Sequence, residues 1–400
     1  MTGSSPQALV NIGLLGHVDH GKTSLTKALT GKWTDTHSEE VKRGISIRLG
    51  YADTNIYFCP KCDLHTLKDN CPKCGGKAEL KRRVSFLDAP GHETLMTIVL
   101  SASSIMDGAL LLIAANEPCP QPQTAEHLMI LNIAGIKNVV VVQTKIDLVT
   151  KEQAKAHYES IRNFLKGSVA ENAPIIPVVS NYGINIDAVA DAIERSIPTP
   201  HRDTSLPPIM FISRSFDINK PGTPIPNLKG GVLGGSLVQG TMKKGDMVLI
   251  RPGFETSKKV VKEVQVKVES LMCEGGPLES AAPGGLIAIG TPLDPNVAKA
   301  DSLVGCLLGK PGSLPDAKAE IAFDHHLIQR EGFDNPPLKM GEPIVINVGT
   351  ATGIGVIAAI KKGQVLTKLK KPVCVVKGST VAVSRRVGQR WRLAAWGKSI

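Results

Sequence analysis

Largely apolar runs alternate with amphipathic stretches through the first half of the chain. Leu9 to Leu15 reads as a buried strand and Thr23 to Leu29 as the helix that follows it. Val84 to Asp88, Ala109 to Ala114, Asn138 to Gln143 and Ile175 to Val179 read as further strands. Helices fall over Gln123 to Ala134, Lys151 to Lys166 and Asn185 to Ile197. Near-continuous apolar strands separated by helices predict a parallel sheet covered on both faces. Such sheets bind ligands beyond the carboxyl ends of their strands. The helical period stops at a linker, Arg195 to Pro208, which holds Pro198, Pro200, Pro207 and Pro208. Beyond it come short β-rich runs punctuated by Gly and Pro: Ile209–Phe211, Gly231–Val238, Met247–Ile250, Val260–Leu271 and Leu286–Gly290. A second set runs from Ala319–Phe323 through Pro343–Val348, Gly353–Ile360, Val373–Val376 and Thr380–Val383 to Trp391–Ala395. This is a β-barrel pattern. The expected organisation is an α/β domain over 1–203 and two β-barrel domains over 204–316 and 317–400.

The 400 residues are 42% apolar, enough for several cores. No run of 18 apolar residues appears, so no membrane span is expected. Met1 to Ala8 lacks the basic and apolar regions of a signal peptide, which makes the cytoplasm the default compartment. The net charge of +11 is unevenly placed, because Glu342 is the last acidic residue. The basic residues from Lys361 to Arg392 are candidates for contact with RNA.

Gly16-His17-Val18-Asp19-His20-Gly21-Lys22-Thr23 fits the phosphate-loop pattern G-x-x-x-x-G-K-[ST], with a strand leading in and a helix leading out. Its glycines allow a tight turn whose N–H groups face phosphate oxygens, and the helix N-terminus adds a positive end. Lys22 would reach the β- and γ-phosphates, and the Thr23 hydroxyl would bind Mg²⁺. The polar stretch from Ser38 to Ser46 suits a switch segment whose hydroxyl joins the Mg²⁺ shell only when a γ-phosphate is present. Asp88 ends a strand, where it can hold Mg²⁺ through water. Gly91 can present its N–H to the γ-phosphate, and His92 can orient an attacking water. In Thr144-Lys145-Ile146-Asp147 the Asp147 carboxylate can accept from guanine N1–H and its 2-amino group, where adenine would repel it. Lys145 would lie along the ring, and Ser180-Asn181-Tyr182 would close over the far edge. The nucleotide set is thus Asp19, His20, Gly21, Lys22, Thr23, Ser24, Asp88, Gly91, Thr144, Lys145, Asp147, Ser180, Asn181 and Tyr182.

Cys59-Pro-Lys-Cys62 and Cys71-Pro-Lys-Cys74 form two C-x-x-C pairs with the spacing of a tetrahedral thiolate site. Disulfides are the alternative, and a cytoplasmic chain argues against them. Four thiolates leave no open coordination position, so zinc here would be structural, a staple for a knuckle over 59–74.

Together these pieces resemble the translational GTPases, close to elongation factor Tu and closest to the gamma-subunit family of archaeal and eukaryotic translation initiation factor 2. The resemblance covers essentially the whole chain. It is carried by Gly16–Thr23, Arg43–Ile47, the Cys59–Cys74 knuckle, Asp88–His92, Asn116–Thr124, Arg214–Gly222, Lys229–Val232 and Trp391–Gly397. It implies a GTP-binding domain and two barrels, with GTP/GDP, Mg²⁺ and Zn²⁺ bound. By resemblance Asp19, Thr23, Gly44 and Ser46 line the Mg²⁺ region, and His92 and Asp19 are the catalytic candidates. His92 matches the water-positioning histidine, with Val18 and Ile45 as the apolar gate beside it. The implied partners are methionyl initiator tRNA, the small ribosomal subunit with mRNA, a beta subunit docked on the GTP-binding domain and an alpha subunit docked on the second barrel-side surface. The implied function is GTP-dependent delivery of initiator tRNA, with hydrolysis relaxing the switches and releasing it. An elongation-type carrier and a non-hydrolysing scaffold are the alternatives. Intrinsic hydrolysis should be slow, because no arginine finger is evident near the loop. Two positions depart from the family. Ser46 stands in place of Thr and keeps the hydroxyl. Thr144 stands in place of Asn and brings no amide for the base or the phosphate loop, so weaker guanine affinity is expected.

Overall fold

The computed structural model describes residues 6–34, 49–92, 96–256, 260–329, 334–361, 363–388 and 390–400. The chain divides into two compact units, Met1–His201 and Arg202–Ile400.

The first unit is built on a seven-stranded sheet of β1 (Val10–Gly16), β2 (Gly50–Cys59), β3 (Leu64–Thr66), β4 (Glu79–Asp88), β5 (Gly108–Ala114), β6 (Val139–Thr144) and β7 (Ile175–Pro177), in the order β3-β2-β4-β1-β5-β6-β7. The strands β4, β1, β5, β6 and β7 are parallel. Every residue of β1, β5 and β6 is buried, as strands covered on both faces must be. The helices are α1 (Lys22–Thr30), α2 (Met96–Ser103), α3 (Pro122–Ala134), α4 (Lys151–Leu165) and α5 (Ile186–Ser196). Val10, Ile12, Leu14, Leu25, Phe86, Leu110, Val142 and Ile193 meet in one core.

Three elements escape the apolar pattern. β2 runs antiparallel to β4, from Gly50 opposite Asp88 to Phe58 opposite Glu79, and β3 extends that edge. The sheet is therefore mixed at this side. β2 mixes buried and half-buried positions and so shows no continuous apolar run. β4 begins five residues earlier than its apolar part, because Glu79, Leu80 and Lys81 are exposed. α2 follows the D-x-x-G turn and was not foreshadowed.

The second unit holds two antiparallel barrels. The first combines β8 (Ile209–Phe216), β9 (Val232–Gln239), β10 (Met242–Lys243), β11 (Met247–Glu255), β12 (Val261–Lys267), β13 (Ser270–Cys273), β14 (Gly276–Leu278), β15 (Ser280–Ala281), β16 (Ile287–Gly290) and β17 (Leu307–Gly309) around Met210, Leu233, Ile250, Leu271 and Ile289. The expected single run Val260–Leu271 is two strands. β12 pairs with β11 and β13 with β16, and at the break Val268 N–H donates to Asp246 while Glu269 N–H donates to Gly290.

The second barrel contains β18 (Ala317–Asp324), β19 (His326–Leu327), β20 (Pro343–Val348), β21 (Ala351–Lys361), β22 (Gln364–Cys374), β23 (Thr380–Val387) and β24 (Arg390–Lys398). It closes where Phe323 bridges Ser399 and where Ile400 N–H donates to Ala322 at 3.0 Å. Strict in–out alternation over Ala351–Ile357 shows the barrel wall directly. Leu249, Leu307, Leu314 and Cys374, with Ile209 and Phe211 against them, form an apolar cluster shared by the two barrels.

Candidate functional site

The predicted nucleotide residues lie at the carboxyl edge of the first sheet. β1 ends at Gly16 and turns through a loop in which Asp19 has φ 62° and Gly21 φ 87°. Asp tolerates this left-handed region better than most residues. Gly21 then starts α1 with no side-chain cap and no acidic residue in the first turn. No carboxylate offsets the positive dipole end there, which suits an anion.

Lys22 is buried and its ammonium donates to the carbonyls of Gly16 at 3.0 Å and His17 at 2.7 Å. The cation is held across the mouth of the loop. Gly91 packs on the same place. A Cβ at Gly91 would lie 2.5 Å from Lys22 Nζ, 3.0 Å from the Val18 nitrogen and 3.1 Å from the Gly16 oxygen. No side chain fits there, so the D-x-x-G backbone touches the phosphate loop directly. His92 follows at the exposed rim. Asp88 is buried at the end of β4, and Thr34 Oγ1 donates to its Oδ2 at 2.5 Å. Gly44 and Ser46, with Ile45, lie outside the described residues.

Beneath the loop lie two buried histidines, His127, which pattern reading did not assign, and His20, whose side chain turns to the protein. The Gly16 N–H donates to His127 Nδ1 at 2.7 Å, so this amide faces the protein and not a phosphate. His127 is fully buried on α3, and burial together with the nearby Lys22 cation pushes its pKa down to about 3. His20 is also buried and donates from Nδ1 to the Leu112 carbonyl at 3.0 Å. Its Nε2 is 3.3 Å from Glu117 Oε2. A polar His127 among Leu128, Ile130 and Leu131 was the one sequence signal available for this floor.

The base end is formed by Thr144 at the end of β6, the 3₁₀ turn Ile146–Leu148 and the 3₁₀ turn Ser180–Tyr182. Lys145 takes φ 56°, which turns the chain sharply before Asp147. Asp147 and Asn181 are exposed, and Tyr182 is 75% exposed. The buried Ser180 hydroxyl has no hydrogen-bond partner among the described residues, a polar atom suited to ligand contact. Thr144 Oγ1 donates to the His20 carbonyl at 2.8 Å. The expected loss of contact with the phosphate loop is thus corrected: the hydroxyl spans to the loop without an amide.

The four knuckle cysteines cluster with all sulfurs within 4.8 Å of one another, and Cys59 and Cys74 sulfurs are 3.6 Å apart. Zn–S bonds of about 2.3 Å at tetrahedral angles place sulfurs about 3.8 Å apart, whereas a disulfide needs about 2.05 Å. The donor set fits a tetrahedral thiolate metal. The knuckle is fastened to α5: His65 Nδ1 lies 2.8 Å from Asp191 and Thr66 Oγ1 donates to Asp187 at 2.7 Å.

The second unit changes the reading of the basic segment. Arg385 is buried and grips Glu342 through two hydrogen bonds of 2.7 Å, with further bonds to Asn335 and Pro336. It is removed from the RNA-contact candidates, and Lys371 is ion-paired with Glu255. Arg386 and Arg390 remain exposed on the β23–β24 hairpin beside Trp391. In the first barrel a cavity of 820 Å³ is lined by Phe216, Ile218, Lys229, Val232, Glu269 and Met272, among others. Sequence reading marked the Arg214 and Lys229 stretches without foreseeing that they share a cavity. Among the described residues no helix is long and apolar enough to cross a membrane.

Comparison with known proteins agrees with this geometry. The elongation factor Tu GTP-binding domain profile matches residues 7–199, elongation factor Tu domain 2 matches 230–300, and the C-terminal domain of initiation factor eIF2 gamma matches 320–399. Translation initiation factor 2 subunit gamma of Methanocaldococcus jannaschii is 54% identical, over 98% of this chain and 97% of that protein. The Pyrococcus furiosus protein of the same name is 52% identical over 98% of this chain and 97% of its own. Among solved structures, a bacterial selenocysteine-specific elongation factor superposes with TM-score 0.75 at 27% identity, covering 97% of this chain and 58% of that longer one. The Methanococcus maripaludis elongation factor SelB, bound to a GTP analogue, shares the fold with TM-score 0.71 at 22% identity, over 98% of this chain and 78% of its own.

Proposed function

The chain belongs to the gamma-subunit family of translation initiation factor 2, which are translational GTPases, and from that membership we propose that it carries methionyl initiator tRNA to the small ribosomal subunit. In this reading it is the core of a heterotrimer with alpha and beta subunits, acting at the mRNA-bound subunit in the cytoplasm. The relatives favour neither an elongation-type carrier nor a non-hydrolysing scaffold.

The reaction is hydrolysis of GTP. A water oxygen bonds to the γ-phosphorus, the bond to the β,γ-bridging oxygen breaks, and its electron pair leaves on GDP. The proton of the water passes to the released phosphate. Lys22 and the amides of Gly21, Thr23 and Ser24 offset charge on the β- and γ-phosphates, and His20 braces the loop from below. The Gly91 N–H reads the γ-phosphate, and His92 orients the water. Asp147 selects guanine, Lys145 covers the ring, and Ser180, Asn181 and Tyr182 close the far side. The oxygen donors Asp19, Thr23 and Asp88, with Gly44 and Ser46, suit Mg²⁺, which when bound neutralises phosphate charge. Cys59, Cys62, Cys71 and Cys74 would hold a structural Zn²⁺.

The observation that supports this reading is the seating of Gly91 against Lys22, Val18 and Gly16, a position from which its N–H would meet a γ-phosphate held by the loop. The 820 Å³ cavity of the first barrel has the size and mixed lining to take the aminoacylated end of the tRNA. The test is tRNA binding by the reconstituted trimer. Tight binding of charged initiator tRNA with a GTP analogue and weak binding with GDP is expected. Equal affinity in the two states, or for an elongator tRNA, would defeat the reading.

A further inference from the structure

Thr144 is a buried residue beside the guanine-selecting Asp147, and its hydroxyl carries one proton. That proton is given to the His20 carbonyl, a backbone oxygen that can only accept, at 2.8 Å. The Thr144 oxygen is then left with lone pairs alone. Guanine shows two kinds of edge. The N1–H and 2-amino group are donors, matched by the Asp147 carboxylate. On the opposite side O6 and N7 are both acceptors, so a side chain that reads that side has to donate. Thr144 has nothing left to donate.

We propose that Thr144 is a positioning residue that ties the base-recognition strand to the phosphate loop and takes no part in reading the O6/N7 edge of guanine. A purine triphosphate that keeps the N1–H and 2-amino donors but lacks the N7 acceptor consequently loses no contact with Thr144. This rests on the guanine site proposed above. A Thr144→Asn change would bring two amide protons, one for the His20 carbonyl and one for the base edge. Buried side-chain groups left without partners are what make polar sites discriminate, so adding that donor adds a discrimination that Thr144 does not supply.

The test is calorimetric binding of GTP and 7-deaza-GTP to the full chain with Mg²⁺. The dissociation constants should agree within about threefold, a difference smaller than one hydrogen bond. A larger loss for 7-deaza-GTP overturns the proposal. In Thr144→Asn, 7-deaza-GTP should bind about five- to tenfold more weakly than GTP. A ratio that stays at one in that variant also overturns it. Thr144→Val should weaken both nucleotides together and leave their ratio unchanged, and Thr144→Ser should restore both. If ATP binds the unchanged chain as well as GTP does, the guanine site itself is wrong and the proposal falls with it; that outcome is distinct from a failure at N7 alone.

Discussion

Arg385 and Glu342 clasp each other through paired hydrogen bonds of 2.7 Å, although 43 positions separate them. Both are largely shielded from water, at 7% and 18% side-chain exposure, and the guanidinium beside Glu342 offsets burial and holds its carboxyl below the usual range. Arg385→Ala leaves the largely shielded Glu342 carboxylate without its cation, held only by the Lys339 N–H at 3.0 Å, and should destabilise the second unit by about 3 kcal/mol. Thermal unfolding of the full chain checks this. Replacing both residues with apolar ones of similar volume should cost less than the single change, and a larger cost would contradict it.

Arg386 is the neighbour that faces outward. Arg386→Ala should leave the unfolding midpoint unchanged and weaken tRNA binding by the trimer, with the salt slope falling by about one. Unfolding curves and tRNA titrations at several salt concentrations separate the two arginines. An unfolding midpoint lowered as far as that of Arg385→Ala would refute the assignment.

Gly91 has no room for a methyl group against Val18 N at 3.0 Å and Gly16 O at 3.1 Å. The Lys22 side chain can shift, but those backbone atoms can shift only with the loop. Gly91→Ala should lower stimulated GTP hydrolysis about tenfold or more, equivalent to about 1.4 kcal/mol, with a much smaller change in GDP affinity. Phosphate release and GDP titration measure the two effects. Equal losses in both would mean that Gly91 serves loop folding and not the γ-phosphate.

His127 gives an acid limit to stability. Its pKa falls from 6.5 to about 3 on folding, because burial and the Lys22 cation oppose its charge. Between those values the unfolded chain binds a proton that the folded chain does not, so stability rises with pH up to about 6.5 and is lost as pH drops. The expected slope from this residue is about 1.4 kcal/mol per pH unit. His127→Asn keeps an acceptor for the Gly16 N–H and cannot take up the proton. Urea unfolding from pH 4 to 7 should show its slope reduced by one proton, and parallel curves would reject the assignment.

The cysteine knuckle should hold one zinc per chain, measurable by metal analysis. Chelation, or Cys62→Ser, should expose residues 59–74 to proteolysis while GDP affinity changes by less than about twofold. Loss of GDP binding on chelation would show that the metal supports the nucleotide site.

Contiguous chemistry was readable from residues alone. The phosphate loop, the D-x-x-G turn, the paired C-x-x-C turns and the alternation of apolar strands with helices are each set within a few positions by backbone conformation, metal geometry or burial on both faces. The antiparallel edge β2–β3 was not, because its half-buried positions show no unbroken apolar run. Nor was the fate of the acid-free segment, since charges absent nearby in the chain are supplied by Glu342 within the second barrel and by Glu255 of the first.

Local order therefore dictated which chemistry this chain carries, and folding dictated which atoms are left to perform it. The Thr34 hydroxyl on Asp88, the Gly16 amide on His127 and the Thr144 hydroxyl on His20 join residues 54, 111 and 124 positions apart. A hydrogen bond spends a proton or a lone pair on one partner. Which partner that is depends on distances that exist only after the sheet has brought the strand ends together.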